Sequence, residues 1–304
     1  MDDRTHANQD HFTLGLLSAL GAASIFGLSV VCTKTGVTRA SVLTLLGWRF
    51  LVSFTLMTLL LWVGAMRTNL RAKPLGGLLA IAFFAPGLYF IAEGKGLQLT
   101  TAAEGGAILA LTPIATLLLS IPVLKEKPTA HQILSILISV AGVLAVIMAK
   151  GMEARFQALG YLFLLLAVVS DSLCMLLTRK YLMYTPTERV YIMNLVGAAL
   201  YVPLALAEHA RAGTILTFLT LPFHDPAFMA ASVYLGVASS VAGFTLMAIG
   251  IRHLGPNRVT PLSGLSVCIA VVVAVVLLHE PFPLLQGIGT LLILAGAFLA
   301  SIRA

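Results

Sequence analysis

"LKEKPTAHQILSILISVAGVLAVIM" (residues 124–148) and "LHEPFPLLQGIGTLLILAGAFLASI" (278–302) lie 154 positions apart in one chain of 304 residues. Set over one another, Leu124, Glu126, Ala141 and Gly142 fall on Leu278, Glu280, Ala295 and Gly296, and the same offset carries Gly96 to Gly250. Earlier in each half the offset is 145, which takes Gly15 to Gly160 and Thr33-Lys34 to Thr178-Arg179. A longer loop around 208–225 absorbs the drift. Order preserved along successive apolar segments is the mark of an internal duplication.

Each copy is built from segments of membrane-spanning length. The chain is 59% hydrophobic and 10% charged, with a mean hydropathy of +0.99. A soluble domain fills its core at about half apolar content. Windows near the length that crosses a bilayer as helix recur ten times: 12–33, 41–63, 75–94, 103–123, 131–149, 158–178, 190–207, 227–250, 259–278 and 284–302. The expected fold is an all-α membrane protein of ten transmembrane helices. Residues 1–11 form an N-terminal tail, 12–150 a first repeat and 155–302 a second. Five helices per copy is an odd number, so the second copy enters the membrane from the opposite side. Such inverted pairs characterise secondary transporters, with substrate near the midplane between the copies.

Charge placement fixes an expected orientation. Of the 19 basic residues, twelve fall on the side holding the N-terminus, six on the other, and Arg49 lies inside a helix. The excess of Lys and Arg puts both termini in the cytoplasm, as an even number of helices requires. A net charge of +7 distributed in this way marks membrane topology and not a nucleic-acid partner. The tail Met1–His11 carries Asp2, Asp3 and Asp10 against Arg4, so it lacks the basic start of a signal peptide. Cys32, Cys174 and Cys268 are far apart inside or at the ends of apolar windows. They read as small hydrophobes, not as a disulfide or metal framework, and no metal or cofactor is expected.

Further stretches carry a family likeness: "WRF" (48–50), "ALTPIATLLLSIPVLKEK" (110–127), "ISVAGVLAVI", "ILAGAFLAS" and "LHEPFPLLQGIGTLLILAG". With these the chain, over about 14–302, resembles the EamA-type permeases of the drug/metabolite transporter superfamily. The resemblance implies two inverted five-helix repeats and a cavity among helices one, three, four, six, eight and nine. It also implies structural roles for Pro113, in a proline-containing fourth helix, and for Glu126 and Glu280. In helix nine the position equivalent to Pro113 is Val267, with Pro261 six residues earlier.

The few charges inside the apolar windows are the candidate functional groups. Arg49 is about nine residues into helix two, roughly 13 Å deep at the helical rise, where a charge is costly unless paired or facing water. It either pairs structurally or meets an anionic substrate group. Glu93 and Glu104 stand about a turn below the non-cytoplasmic surface, level with Lys34 and Arg49. They form a rim of solvated charges or a mixed-charge gate. Asp171, in "VVSDSLCML", is the most central acid. It is either a proton-coupling group or a neutral acid that hydrogen-bonds between helices. Pro86-Gly87 should open helix three and free carbonyls that a cavity or neighbour must satisfy. Pro86, Tyr89, Phe90, Glu93 and Leu97 share one face there. The matching stretch of helix eight offers Ser239, Ser240 and Phe244.

Three function classes follow. The first is a secondary carrier, an exporter of a small amphipathic metabolite such as an amino acid, with protons as the candidate coupling ion. The second is an exporter of lipophilic cationic drugs, using Asp171, Tyr89 and Phe244. The third, an intramembrane enzyme, finds neither HExxH nor a nucleophile–base pair in the sequence, and the phosphate loop of an ATP-driven pump is likewise missing. The expected location is the bacterial inner membrane.

Overall fold

A computed structural model describes residues 2–70, 73–124, 129–149, 154–181, 183–254, 259, 262 and 264–302. Glu126 and Pro261, both singled out above, lie outside the described residues. Among the described residues the regular structure is helical throughout, with no strand. In lipid a helix alone satisfies its own backbone within one segment.

In chain order the helices are α1 (Asp2–Arg39), α2 (Val42–Trp62), α3 (Gly76–Ala82), α4 (Tyr89–Leu99), α5 (Ala102–Leu109), α6 (Thr112–Leu124) and α7 (Ala130–Met148). Then follow α8 (Ala154–Lys180), α9 (Pro186–Arg211), α10 (Ile215–His224), α11 (Pro226–Val233), α12 (Phe244–Leu254), α13 (Gly264–Leu277) and α14 (Leu284–Ile302). Wide π-helical turns, Phe83–Leu88 and Tyr234–Gly243, join α3 to α4 and α11 to α12. Eight stretches are long and apolar enough to span a membrane: Phe12–Arg39, Val42–Trp62, Gly76–Leu99, Ala102–Ile121, Ala130–Met148, Ala158–Thr178, Pro186–Arg211 and Pro226–Leu254. The remaining two sequence windows fall on the shorter apolar helices Gly264–Leu277 and Leu284–Leu299.

Helix starts follow from local chemistry. Thr101, Thr129 and Thr185 each close a capping box with Glu104, Gln132 and Glu188, three residues on, which satisfies backbone donors at both ends of the motif. Asp225 accepts from the backbone N–H of Ala227 and Phe228 (both 3.0 Å), with Pro226 at the first helical position. These bonds, the Phe228 N–H first and the Arg39 guanidinium next, hold the Asp225 carboxyl below the usual aspartate range.

The loop expected around 208–225 contains a helix. Its ten residues, α10, carry Phe218 inward, 2% exposed. Trp48 donates to the Phe218 carbonyl at 3.0 Å and the two rings lie 5.6 Å apart. Leu216 and Phe223 stay exposed, so the helix is amphipathic, and the run "ILTFLTLPFH" was too short to register as a span.

Packing is between the halves. α2 packs on α9, α7 on α14, α1 on α12, α4 on α8, α1 on α13 and α6 on α8. The α7–α14 seam is backbone against backbone: a Cβ on Gly142 would sit 2.6 Å from the Gly289 carbonyl, and one on Gly289 2.6 Å from the Gly142 carbonyl. Small residues allow this approach where lipid supplies no hydrophobic drive between helices. At one end of the bundle Arg39 pairs with Asp225 (2.9 Å) and Ser41 bonds Glu208 (2.6 Å). At the other end Lys73 pairs with Glu188 (2.8 Å).

Candidate functional site

Side chains of neighbouring helices tie down two π-helical turns, one in each half of the chain. On α2, Arg49 is 2% exposed. Its Nε donates to Ser240 Oγ at 3.0 Å and its Nη2 to Ser239 Oγ at 3.1 Å, both in the π-helical turn of the second half. The guanidinium also lies 4.0 Å from the Phe90 ring centroid, close enough for a cation–π attraction, which is strongest when desolvated. Two hydroxyls and a ring satisfy part of the donor fork of a buried Arg. They do not neutralise its charge.

The matching break is held by Tyr201 of α9. Ala85 leaves helical geometry (φ −137°, ψ 102°) ahead of Pro86. The Tyr201 hydroxyl reaches the freed Pro86 and Gly87 carbonyls at 3.0 and 2.7 Å. Phe50 stacks on the Tyr201 ring (5.6 Å, 16°). Gly197 makes the room, since a Cβ there would sit 2.3 Å from the Phe50 ring.

Acidic groups gather beside Arg49. Glu93 on α4 is 3% exposed and accepts from the Tyr89 hydroxyl at 3.2 Å. Glu93 and Arg49 attract one another without closing a direct ion pair. Asp171 on α8 is partly buried, shares a hydrogen bond with the Thr112 side chain, and acts electrostatically on Glu93 and Tyr89. Its neighbours Ser170 and Ser172 bond the carbonyls of Phe84 (2.9 Å) and Thr112 (3.2 Å). Thr112 follows the turn at Ala110-Leu111 that interrupts the fourth span, and Pro113 sits in the first turn of α6. Phe244 contacts Phe26 and Phe90 at 5.2 and 6.4 Å.

Arg49, Tyr89, Glu93, Asp171, Ser239 and Phe244 therefore lie in one neighbourhood, and Pro86 borders it. Glu104, fully buried, closes the α5 capping box and accepts from Tyr161 on α8 at 2.8 Å. Glu280 bonds the start of α5.

The EamA-like transporter family model matches residues 13–148 and matches again over 158–302. The chain belongs to the EamA-like transporter family. Among its relatives, the "Uncharacterized transporter YcxC" of Bacillus subtilis is 30% identical over 93% of this chain and 91% of its own length. A Salmonella typhimurium protein named "Probable amino-acid metabolite efflux pump" is 26% identical, covering 92% of each chain. A crystal structure at 19% identity superposes with a TM-score of 0.58 over 96% of this chain and 95% of that one, a likeness of fold alone. As an EamA-like transporter built of apolar spans, the protein is a membrane protein.

Within this EamA-like fold, residues to which the sequence assigned no role in the site complete it. Tyr201 and Phe50 are aromatic residues in apolar windows, where rings are ordinary packing. The available signal for Tyr201 was indirect: the carbonyls freed at Pro86-Gly87 needed a donor. Thr112 could have been found as the hydroxyl beside Pro113 in a broken helix.

Proposed function

We propose that this chain is a secondary active exporter that moves a small amphipathic metabolite such as an amino acid by alternating access. The observation that carries the reading is the gathering of one guanidinium, Arg49, with two carboxyls, Glu93 and Asp171, beside aromatic faces within the spans. An α-amino acid carries one carboxylate and one ammonium. Arg49 suits the first, Glu93 or Asp171 the second, and Phe90, Phe244 and Tyr89 suit an apolar side chain. A purely cationic drug has no use for the buried Arg49, which weighs against that reading. The name of the Salmonella relative points the same way.

The architecture proposed for this carrier is ten helices in two inverted repeats, 12–150 and 155–302. Three findings support it: the family model matches twice, both third helices of the repeats open in a π-helical turn, and cross-half packings come in reciprocal pairs. Both termini face the cytoplasm of the bacterial inner membrane, Asp171 carries the coupling proton, and the chain performs no catalysis. The deciding experiment is counterflow of labelled neutral amino acids in proteoliposomes, with a lipophilic cationic dye in parallel. Amino-acid counterflow that a folded Arg49→Leu variant loses is the expected result. Movement of the dye with none of the amino acids would replace the reading with drug export.

A further inference from the structure

Helix ends leave backbone N–H and C=O groups without intrahelical partners, and the hairpin between α4 and α5 resolves its own in an unusual way. Inside the hairpin, Thr101 N–H donates to Glu104 (2.9 Å) and Glu104 N–H donates to the Thr101 hydroxyl (3.1 Å). The two remaining donors are answered from the other half of the chain. Ala102 N–H and Ala103 N–H donate to Glu280 Oε1 and Oε2 at 2.9 and 3.0 Å. At the end of α4, the Leu97 and Thr100 carbonyls accept from Lys34 Nζ, the former at 2.8 Å. An anion thus sits at a helix N-terminus and a cation at a helix C-terminus, the favourable sign at each.

The two grips differ in origin. Lys34 belongs to α1, in the same half as the hairpin. Glu280 comes from the connection between α13 and α14, just after His279, whose left-handed φ of 53° turns the chain at the end of α13. Both line one cavity of about 270 Å³ with Thr35, Thr38, Arg39 and Leu278. The hairpin is packed tightly on its inner side: Leu97, Ala102, Ala103, Glu104 and Ala107 are each 0% exposed.

We infer that Lys34 and Glu280 form a latch that holds this end of the transport pathway shut, with Glu280 as the half that releases when the end opens. The inference rests on the transporter reading. Because the capping box already secures α5, Glu280 is not needed to make the helix. Its loss leaves the Ala102 and Ala103 donors without the carboxylate, an unfavourable state until water replaces it. Room for that water at the cavity wall grows when this end opens. Release of the latch and opening therefore favour one another, and a closed, half-released state is disfavoured.

Native Cys32 reports the event, since it sits on α1 two residues before Lys34, partly buried and within electrostatic reach of Arg49. The measurement is the rate at which a membrane-impermeant methanethiosulfonate modifies Cys32 in the full-length purified protein, read by peptide mass spectrometry. Cys268, exposed in the middle of the α13 span and so covered by detergent, serves as the unreactive control. Glu280→Gln should raise the Cys32 rate about tenfold, as loss of a charge-assisted hydrogen bond implies, with the Cys268 rate unchanged. Ala102→Pro removes one donor without touching Glu280, at a position where proline suits a helix start, and should act in the same direction. If Glu280→Gln fails to fold, Ala102→Pro decides. Unchanged Cys32 labelling in the folded variants overturns the latch. Labelling needs no substrate, so a failed amino-acid counterflow assay overturns the functional reading and leaves the latch standing.

Discussion

Arg49 and Tyr201 perform the same task from opposite halves, each bridging from its own helix to the π-helical turn of the other half. They differ in what remains free. Tyr201 commits its hydroxyl to two carbonyls, whereas Arg49 keeps donors beyond its two serines. Tyr201→Phe should leave a folded protein destabilised by about 1–2 kcal/mol, the range for a buried hydrogen bond in a membrane protein. Thermal unfolding in detergent measures it, and local amide exchange over 85–90 should rise. Arg49→Lys should fold and transport poorly, because Lys keeps the charge without the planar fork. Arg49→Leu should express and lose counterflow. A Leu variant transporting at the wild-type rate would remove Arg49 from the site.

At the scale of elements, the helices were legible wherever apolar length and capping agree. "TAAE" and "TPTE" carry the spacing of the capping boxes that Thr101–Glu104 and Thr185–Glu188 make. Pro86-Gly87 marked a break, and the break is there. Charges in apolar windows were equally plain, so Arg49, Glu93 and Asp171 stood out. What could not be read were roles set by backbone partners far away in sequence. Nothing near Glu280 announces that its partners are the N–H groups of Ala102 and Ala103. Nothing in the apolar stretch after Trp48 says that its ring packs on Phe218 of α10. Two predictions belong here. Gly142→Leu should abolish the folded state, since the Gly289 carbonyl occupies the space its Cβ needs and overpacking of even a methylene or two costs about 1–3 kcal/mol. Gel filtration after extraction would show aggregation. Asp225→Asn keeps the cap and removes the charge. Because folding depresses the Asp225 carboxyl, its contribution is present above the usual aspartate range and lost as pH falls through the lowered value. The wild type should therefore unfold at a higher temperature than Asp225→Asn at neutral pH, with the gap closing in acid.

At the scale of the molecule, two π-helical turns tied across the halves suit the proposed carrier, whose centre would be held while its ends exchange access. A thiol-reactive probe at Asn8, replaced by cysteine, should label only from the cytoplasmic side, and labelling of intact cells by an impermeant reagent would overturn the proposed orientation. Asp171→Asn should retain substrate counterflow and lose accumulation driven by a pH gradient, because a neutral side chain can cycle when loaded but cannot deliver a proton. Equal accumulation by variant and wild type would reduce Asp171 to its bond with Thr112.

The glycine seam between α7 and α14 bears also on biosynthesis. During synthesis α7 enters the membrane long before α14 exists, and its Gly142 face must meanwhile lie against lipid or a translocation partner. The first half can therefore insert early but cannot complete its packing until the helix at 284–302 arrives. Loss of that helix, by frameshift or proteolysis, would strand an otherwise finished bundle with an open flank, and a membrane protease that samples such flanks would recognise the truncated protein at α7.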